Sequence, residues 1–517
     1  MNDGIFHDYL AANPQLTSFF AQSPAQRHDW NIPAREWAPS LAQAIRQYQG
    51  RIGASSAFRG DEAVIATGQQ PGLLTGPLYT IYKAITAIRL ARELTALRNM
   101  PCVPVFWLAT DDHDFEEART ARVLNKNGQP LALTYAPEAD VRGMPMHRVP
   151  VESSLHAIID RAASETRGSE FRHEITAFLH ESLDASDSFA DWTARIMARL
   201  FEGSGLVFFA AHLPEARRAA APIMERALQE PLAVARLANE AARELEALGY
   251  EPQVRKHDHE CAFFIETEGK RQKVVFAENR FHVGSPPKTH TREAMAAFLR
   301  AEPECFSPNA LWRPIVQQHL FPVVAYVGGP GEIAYWAQLK PVFTFAELPM
   351  PTVYPRAQAL LTTEKLSALR EMCNVSLRDL MGPPDALMEK ALRASTENDA
   401  IRRLRAHRKR IEEALRGFAQ DMGASDRHAA ELAEKFEKTA LSRLDRLERA
   451  LLMTDKARVA TARARLERLG NALVPERKPQ ERAYCVASFL FEYGWELIPR
   501  LIETLDIESF HMNEVEL

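Results

Sequence analysis

No Cys-x-x-Cys pair occurs among the five cysteines, Cys102, Cys261, Cys305, Cys373 and Cys485. An odd, scattered set gives no disulfide framework and suits a reducing cytoplasm. No apolar run is long enough to span a bilayer. Residues 1–8 carry neither a basic start nor an apolar stretch, so no signal peptide is expected. Positive charge is not in excess either: 63 Lys plus Arg face 68 Asp plus Glu, a net charge of -5. That balance gives no reason to expect nucleic acid as a partner. No Gly-Lys-Ser/Thr completes the glycine-rich turn near residue 70, so a Walker A loop is excluded there.

What the chain does have is a rhythm of short apolar runs and helical patterns. Runs at 63–66, 103–108, 206–210, 322–327 and 350–354 read as buried strands. Helical patterns at 78–98 and 189–201 separate them, so the spacing predicts a parallel sheet covered on both faces. The N-terminal 1–60 looks helical and loop-rich. Two hairpin-like stretches, 122–137 (with Asn-Lys-Asn-Gly) and 261–283, read as insertions into the core. The domain reading is 1–60, a core at 61–385 with insertions near 120–150 and 250–290, a helical arm at 386–474, and a segment at 475–517 packing back on the core.

In the arm, Ile401, Leu404, Ile411, Leu415, Phe418 and Met422 recur at helical spacing, Gly423 and Ser425 interrupt, and Phe436 through Leu473 resume. This predicts an antiparallel helical hairpin or coiled coil, with one helix of about 45 residues running about 65–70 Å. Its apolar seam needs a partner, in cis or from a second subunit. The basic run at 402–410 reads as a solvated face paired with nearby glutamates.

Three motifs carry candidate chemistry. Thr67-Gly68-Gln69-Gln70-Pro71-Gly72 leads through Gly76 into a helix with Tyr79 and Lys83. Glycines let a backbone approach a ligand, and a helix start offers free N–H groups to an anion. Asp111, Asp112, His113 and Asp114 stand at the C-terminal end of a strand, the edge where ligands bind in open α/β sheets. Such a cluster could hold an ammonium, take a proton or bind a metal; it could also cap the next helix. Gly329-x-Gly331-x-x-Ala334 superficially matches a dinucleotide fingerprint, but Glu332 would face a pyrophosphate. Glu332 suits a positive or hydroxyl-bearing ligand. Arg313 and Arg356, beside prolines, could fork onto carboxylate or phosphate, or form plain salt bridges. His257-Asp-His-Glu-Cys261 has no second ligand cluster, so a structural zinc is not expected.

These pieces (67–83; 103–107 with Asp112-His113-Asp114-Phe115; Arg313-Pro314; 328–338; Pro355-Arg356) keep their order and spacing along essentially the whole chain. The sequence resembles the bacillithiol-biosynthesis cysteine-adding enzyme family (BshC). The resemblance implies an α/β fold: a Rossmann-like parallel-sheet core with inserted connecting motifs and a C-terminal α-helical coiled coil. It implies a cytoplasmic ligase adding cysteine to glucosaminyl-malate, using ATP with Mg²⁺, as a homodimer through the coiled coil. The core is similar to class I aminoacyl-tRNA synthetases and pantothenate synthetase, yet their histidine-glycine signature is missing here. A nucleotidyltransferase, or a scaffold without catalysis, are the alternatives. On the ligase reading, Asp112, His113 and Asp114 are catalytic. Thr67, Gly68, Gln69, Gln70, Gly72, Gly76, Tyr79 and Lys83 hold the nucleotide. Arg313, Gly329, Gly331, Glu332, Tyr335, Gln338 and Arg356 meet the sugar and malate.

Overall fold

The computed structural model describes residues 3–33, 35–55, 57–394, 399–423 and 427–517, and the expected break at Ser425 lies outside them. Two compact units emerge: residues 1–126, 131–359 and 481–515, and residues 127–130, 360–480 and 516–517.

The first unit is built on five parallel strands: β1 (Ala63–Gln69), β2 (Cys102–Leu108), β3 (Val207–Ala210), β4 (Val323–Gly328) and β5 (Thr352–Pro355). Their spatial order is β5-β4-β1-β2-β3. This is the doubly wound order, and the winding reverses between β1 and β4. The strands are buried almost throughout and mainly apolar because both faces are covered, polar side chains such as Thr67 and Gln69 coming at the C-terminal end of β1. The helix Tyr79–Arg98 crosses the sheet, and Ala87, Leu90 and Leu94 pack on Ile65, Val324 and Tyr354.

The first insertion matches the turn signal: Asn-Lys-Asn-Gly, with Gly128 at φ 75°, joins strands Thr120–Leu124 and Pro130–Thr134. The second is larger than the expected hairpin. Strands Glu260–Thr267, Lys270–Ala277, Arg280–Val283, Lys288–His290 and Phe306–Pro308 form one five-stranded sheet. Its later strands are only three or four residues long, with isolated apolar side chains between polar ones, so they left no apolar run to read. Glu278 and Asn279, at φ 51° and 59°, supply the left-handed turn between the second and third. The segment after Glu481 belongs to this unit: Tyr484 and Phe491 carbonyls accept the amides of Leu78 and Ser169.

The second unit is helical. Asp399–Gly423 packs along Arg427–Leu452 as a hairpin, followed by Lys456–Leu473. The single helix of about 45 residues is thus corrected. The Asp455 carboxylate caps Arg458 N–H at 3.1 Å and starts a new helix after Leu452. The basic run serves the hairpin. Arg405 and Arg408 reach Glu448 and Asp445 at 2.9 and 2.6 Å, and Arg393 at 2.9 Å and Arg408 at 3.6 Å add further cations on the buried Glu448.

Candidate active site

The reversal between β1 and β4 opens a crevice at the strands' C-terminal ends. Thr67 stitches its two sides, donating its hydroxyl to the Val327 carbonyl at 2.9 Å. At Gly68 any side chain is excluded, because a Cβ would stand 2.6 Å from the Trp107 carbonyl oxygen. Glycine here permits the β1–β2 pairing that brings Gln69 beside Leu108.

A cavity of about 420 Å³ occupies this crevice. It joins the glycine turn (Gly68, Gln69, Gln70), the acidic lip (Asp111, Asp112, His113) and the far side of β4 (Arg313, Glu332, Tyr335). Residues more than 200 apart in sequence therefore face one space.

Behind it runs a charge network. Lys83 is only 3% exposed. Its ammonium lies 2.5 Å from Glu332 Oε2 and donates to the Gly68 carbonyl at 3.0 Å and to Gln69 Oε1 at 2.9 Å. Glu332 also accepts the Tyr326 hydroxyl at 2.5 Å and the Gly329 amide at 2.9 Å. Burial alone would raise the Glu332 carboxyl, but Lys83 and the Gly329 amide outweigh it and hold it below the usual carboxylate range. Burial lowers the Lys83 pKa, and Glu332 opposes the shift. The positive group Glu332 meets is thus the chain's own lysine. The Gly329 amide is engaged there too, so the glycine-fingerprint segment offers no dinucleotide loop. Arg313 is fixed nearby by Gln317 Oε1 at 2.9 Å and the Tyr335 hydroxyl at 3.0 Å.

On the opposite wall, Asp112 folds its carboxylate onto the His113 and Asp114 amides at 2.7 and 3.4 Å. Asp114 opens the short helix Phe115–Ala118 without a side-chain capping bond, and its carbonyl takes the Gln70 amide at 2.8 Å. His113 rests against Phe264, with Nδ1 3.3 Å from Arg271 Nη1. Burial, then Arg271, lowers its pKa, so the imidazole stays neutral and able to take a proton. Asp111 pairs with Arg217 at 3.2 Å. Burial would raise it, but Arg217 and Arg271 hold it below the ordinary carboxylate value.

Several sequence expectations change. The helix start at Tyr79 is not an open anion cradle: the Leu78 amide donates to Tyr484 O, Thr80 to Pro77 O and Ile81 to Leu78 O. Gly72, Gly76 and Tyr79 instead line a neighbouring recess of about 220 Å³ that shares Gln69 and Gln70. Arg356 forks onto Glu481 at 2.9 and 2.6 Å, both side chains buried, so its partner is a carboxylate of the chain rather than of a substrate. Gln338 is fully buried and binds the Val254 amide and carbonyl at 3.0 and 2.7 Å. Thr67, Asp114, Gly329 and Gly331 do not line the cavity.

Sequence reasoning missed Arg271 and Arg217. Arg271 comes from the inserted sheet, lies over the Phe264 ring at 4.1 Å, and donates to Ser307 Oγ at 2.9 Å and the Pro308 carbonyl at 2.6 Å. Only its place beside the inserted hairpin's turn hinted at it, and nothing in the local pattern pointed to Asp112.

Comparison with known proteins is consistent with this architecture. The model of the bacillithiol biosynthesis BshC N-terminal Rossmann-like domain matches residues 1–357, and that of the BshC C-terminal coiled-coil domain matches 359–517. Proteins named "Putative cysteine ligase BshC" align along most of their length. That of Salinibacter ruber is 30% identical, covering 87% of this chain and 82% of the relative. That of Symbiobacterium thermophilum is 32% identical over 91% and 88%, and that of Koribacter versatilis 31% over 96% and 94%. Among solved structures, a Campylobacter jejuni chain described as a "putative arginyl t-RNA synthetase" aligns at 10% identity over 89% of this chain and 97% of its own, with a TM-score of 0.21. With a Rossmann-like core and a C-terminal helical coiled coil both matched, this chain belongs to the bacillithiol biosynthesis BshC family.

Proposed function

We propose that this protein is a carbon–nitrogen ligase that joins the cysteine carboxyl to the glucosamine nitrogen of glucosaminyl-malate. The observation that carries the reading is the single cavity in which an acidic lip with a neutral histidine faces fixed cations. Amide formation needs an amine freed of its proton and a carboxyl made electrophilic. Asp112 holds the ammonium of cysteine or of the sugar. His113 takes the proton the glucosamine ammonium must lose before its nitrogen attacks the cysteine carboxyl carbon.

Bound ATP, with Mg²⁺, would supply the leaving group on that carboxyl. The Leu78, Thr80 and Ile81 amides at the start of helix Tyr79–Arg98 do not fit its phosphates, being engaged already. Gln69, Gln70 and Tyr79 offer neutral donors instead. Lys83 and Glu332 act from behind, fixing the Gly68 carbonyl and the Gln69 amide. Arg313 and the Tyr335 hydroxyl face the acceptor. The helical hairpin joins two copies, because Phe418, Phe436 and Leu447 are large and exposed along it.

The test is direct. The purified chain, ATP, cysteine and glucosaminyl-malate are combined and the cysteinyl amide is sought by mass spectrometry. Product is expected with the full mixture and not without nucleotide. No product from folded protein with any of several nucleoside triphosphates sinks the ligase reading.

A further inference from the structure

With Arg356 engaged by Glu481, the cations left for an anionic ligand lie elsewhere. A second cavity, of about 390 Å³, is lined by the strands of the inserted sheet and the stretch before them. Arg255, Lys256, Arg271 and Lys273 line it, and Glu260 is the one carboxylate among its lining residues. Glu260 is shared: Lys273 lies 2.5 Å from one oxygen and Lys256 3.5 Å from the other. Arg255 pairs with Glu246, which is not part of the lining. The buried Arg271 has no carboxylate closer than Asp112 Oδ1, at 3.7 Å. Even with the outside partners Glu246 and Asp112 counted beside Glu260, the cations exceed the carboxylates four to three, so this space is net positive, whereas the crevice cavity has four carboxylates and three cations in its lining.

The two spaces adjoin. Arg271, Lys256, His113, Phe264 and Asn309 belong to both linings. Arg271 is held by main-chain and hydroxyl acceptors and stands over the Phe264 ring, so its charge is pre-positioned at the junction.

We propose that the cavity lined by Arg255, Lys256, Arg271 and Lys273 is a polyanion subsite, for a dicarboxylate or polyphosphate group of a ligand whose reacting end lies at Asp112 and His113. The proposal depends on the ligase reading only for that ligand's place in the reaction. The polarity of the paired cavities fixes the ligand's direction: anionic end under the inserted sheet, amine or ammonium end at the tip of β2. Either the nucleotide phosphates or the acid arm of the acceptor supplies the charge.

The test uses the full chain in isothermal titration calorimetry, with inorganic pyrophosphate and, separately, with malate. At least one is expected to bind at millimolar concentration or below, more weakly as KCl is raised. Arg255→Gln with Lys273→Gln, both exposed side chains, should weaken it about tenfold or more, while Lys288→Gln on the same sheet leaves it unchanged. Tighter pyrophosphate assigns the polyphosphate; tighter malate assigns the dicarboxylate. Thermal melts establish that the variants are folded, and Lys256→Gln gives an independent removal of one cation. No binding of either anion, equal binding by the folded double variant, or equal weakening by Lys288→Gln overturns the subsite. Anion binding without amide synthesis keeps the subsite and sinks the ligase; amide synthesis without anion binding does the reverse.

Discussion

Lys83 Nζ stands 2.5 Å from Glu332 Oε2, tying the first helix after β1 to the first helix after β4 across the reversal of the sheet. The pair closes the floor of the crevice, because the same ammonium holds the Gly68 carbonyl and the Gln69 side chain. Removing one partner leaves a buried charge. Lys83→Ala should therefore cost about 3–5 kcal/mol of stability as well as turnover. The double variant Lys83→Ala/Glu332→Ala should recover part of the loss in denaturant titrations. Wild-type stability in Lys83→Ala would show the pair to be open to solvent.

Arg356→Gln should behave as a stability mutation. It strands the Glu481 carboxylate in a dry setting, at about 3–5 kcal/mol. Thermal unfolding reads this, and the KM for each substrate should stay within about twofold at temperatures where the variant is folded. A large KM change with normal stability would return Arg356 to the substrate.

Asp112→Asn separates the other way. Its carboxylate is 38% exposed, hydrogen-bonds only its own loop and stands 3.7 Å from Arg271, so the unfolding midpoint should move little. Amide formation should fall by at least about tenfold if the carboxylate orders an ammonium or tunes His113. Unchanged kcat and KM remove Asp112 from the site.

Two histidines make pH predictions of known sign. His113 is shifted below its ordinary value by burial and Arg271, so kcat/KM should rise with pH through that lowered pKa and then level. His113→Asn should be slow and lack that limb. His212 is pushed down to about 3 by burial and by His147, whose ring lies 4.6 Å away. It is neutral when folded and titrates near 6.5 when unfolded. The unfolded state therefore binds the extra proton first. The fold keeps its full His212 contribution above about pH 6.5 and loses it progressively as pH falls toward about 3. Melts of His212→Asn against pH should show a shallower acid decline.

The helical hairpin leaves Phe436 58% and Leu447 48% exposed. Phe436→Glu with Leu447→Glu should convert a dimer to a monomer in light scattering without changing the melt of the Rossmann-like unit. A wild-type chain that is already monomeric contradicts the pairing.

Much of the sheet was legible. Strands buried on both faces must be apolar along their whole length, and the glycine turn and the acid cluster mark the ends of β1 and β2. The inserted sheet was only half legible, since Arg280–Val283 and Lys288–His290 are held by ladder hydrogen bonds that polar residues make equally well. The break at Asp455 was hidden because apolar spacing on its two sides stays nearly in phase. Arg271 was barely legible: Phe264 aside, its partners Asp112, His113, Ser307 and Pro308 lie at least 36 residues away.

The sequence by itself determined which segments become strands and helices, and which residue types crowd the strand ends, because periodicity and backbone geometry act over a few residues. Tertiary structure alone decided which charges are free to meet a ligand. Lys83 and Arg356 are cations and Glu332 an anion in any reading of the chain. Whether each faces a substrate or another side chain depends on contacts between segments far apart in sequence, and burial magnifies every such pairing by removing the water that would screen it.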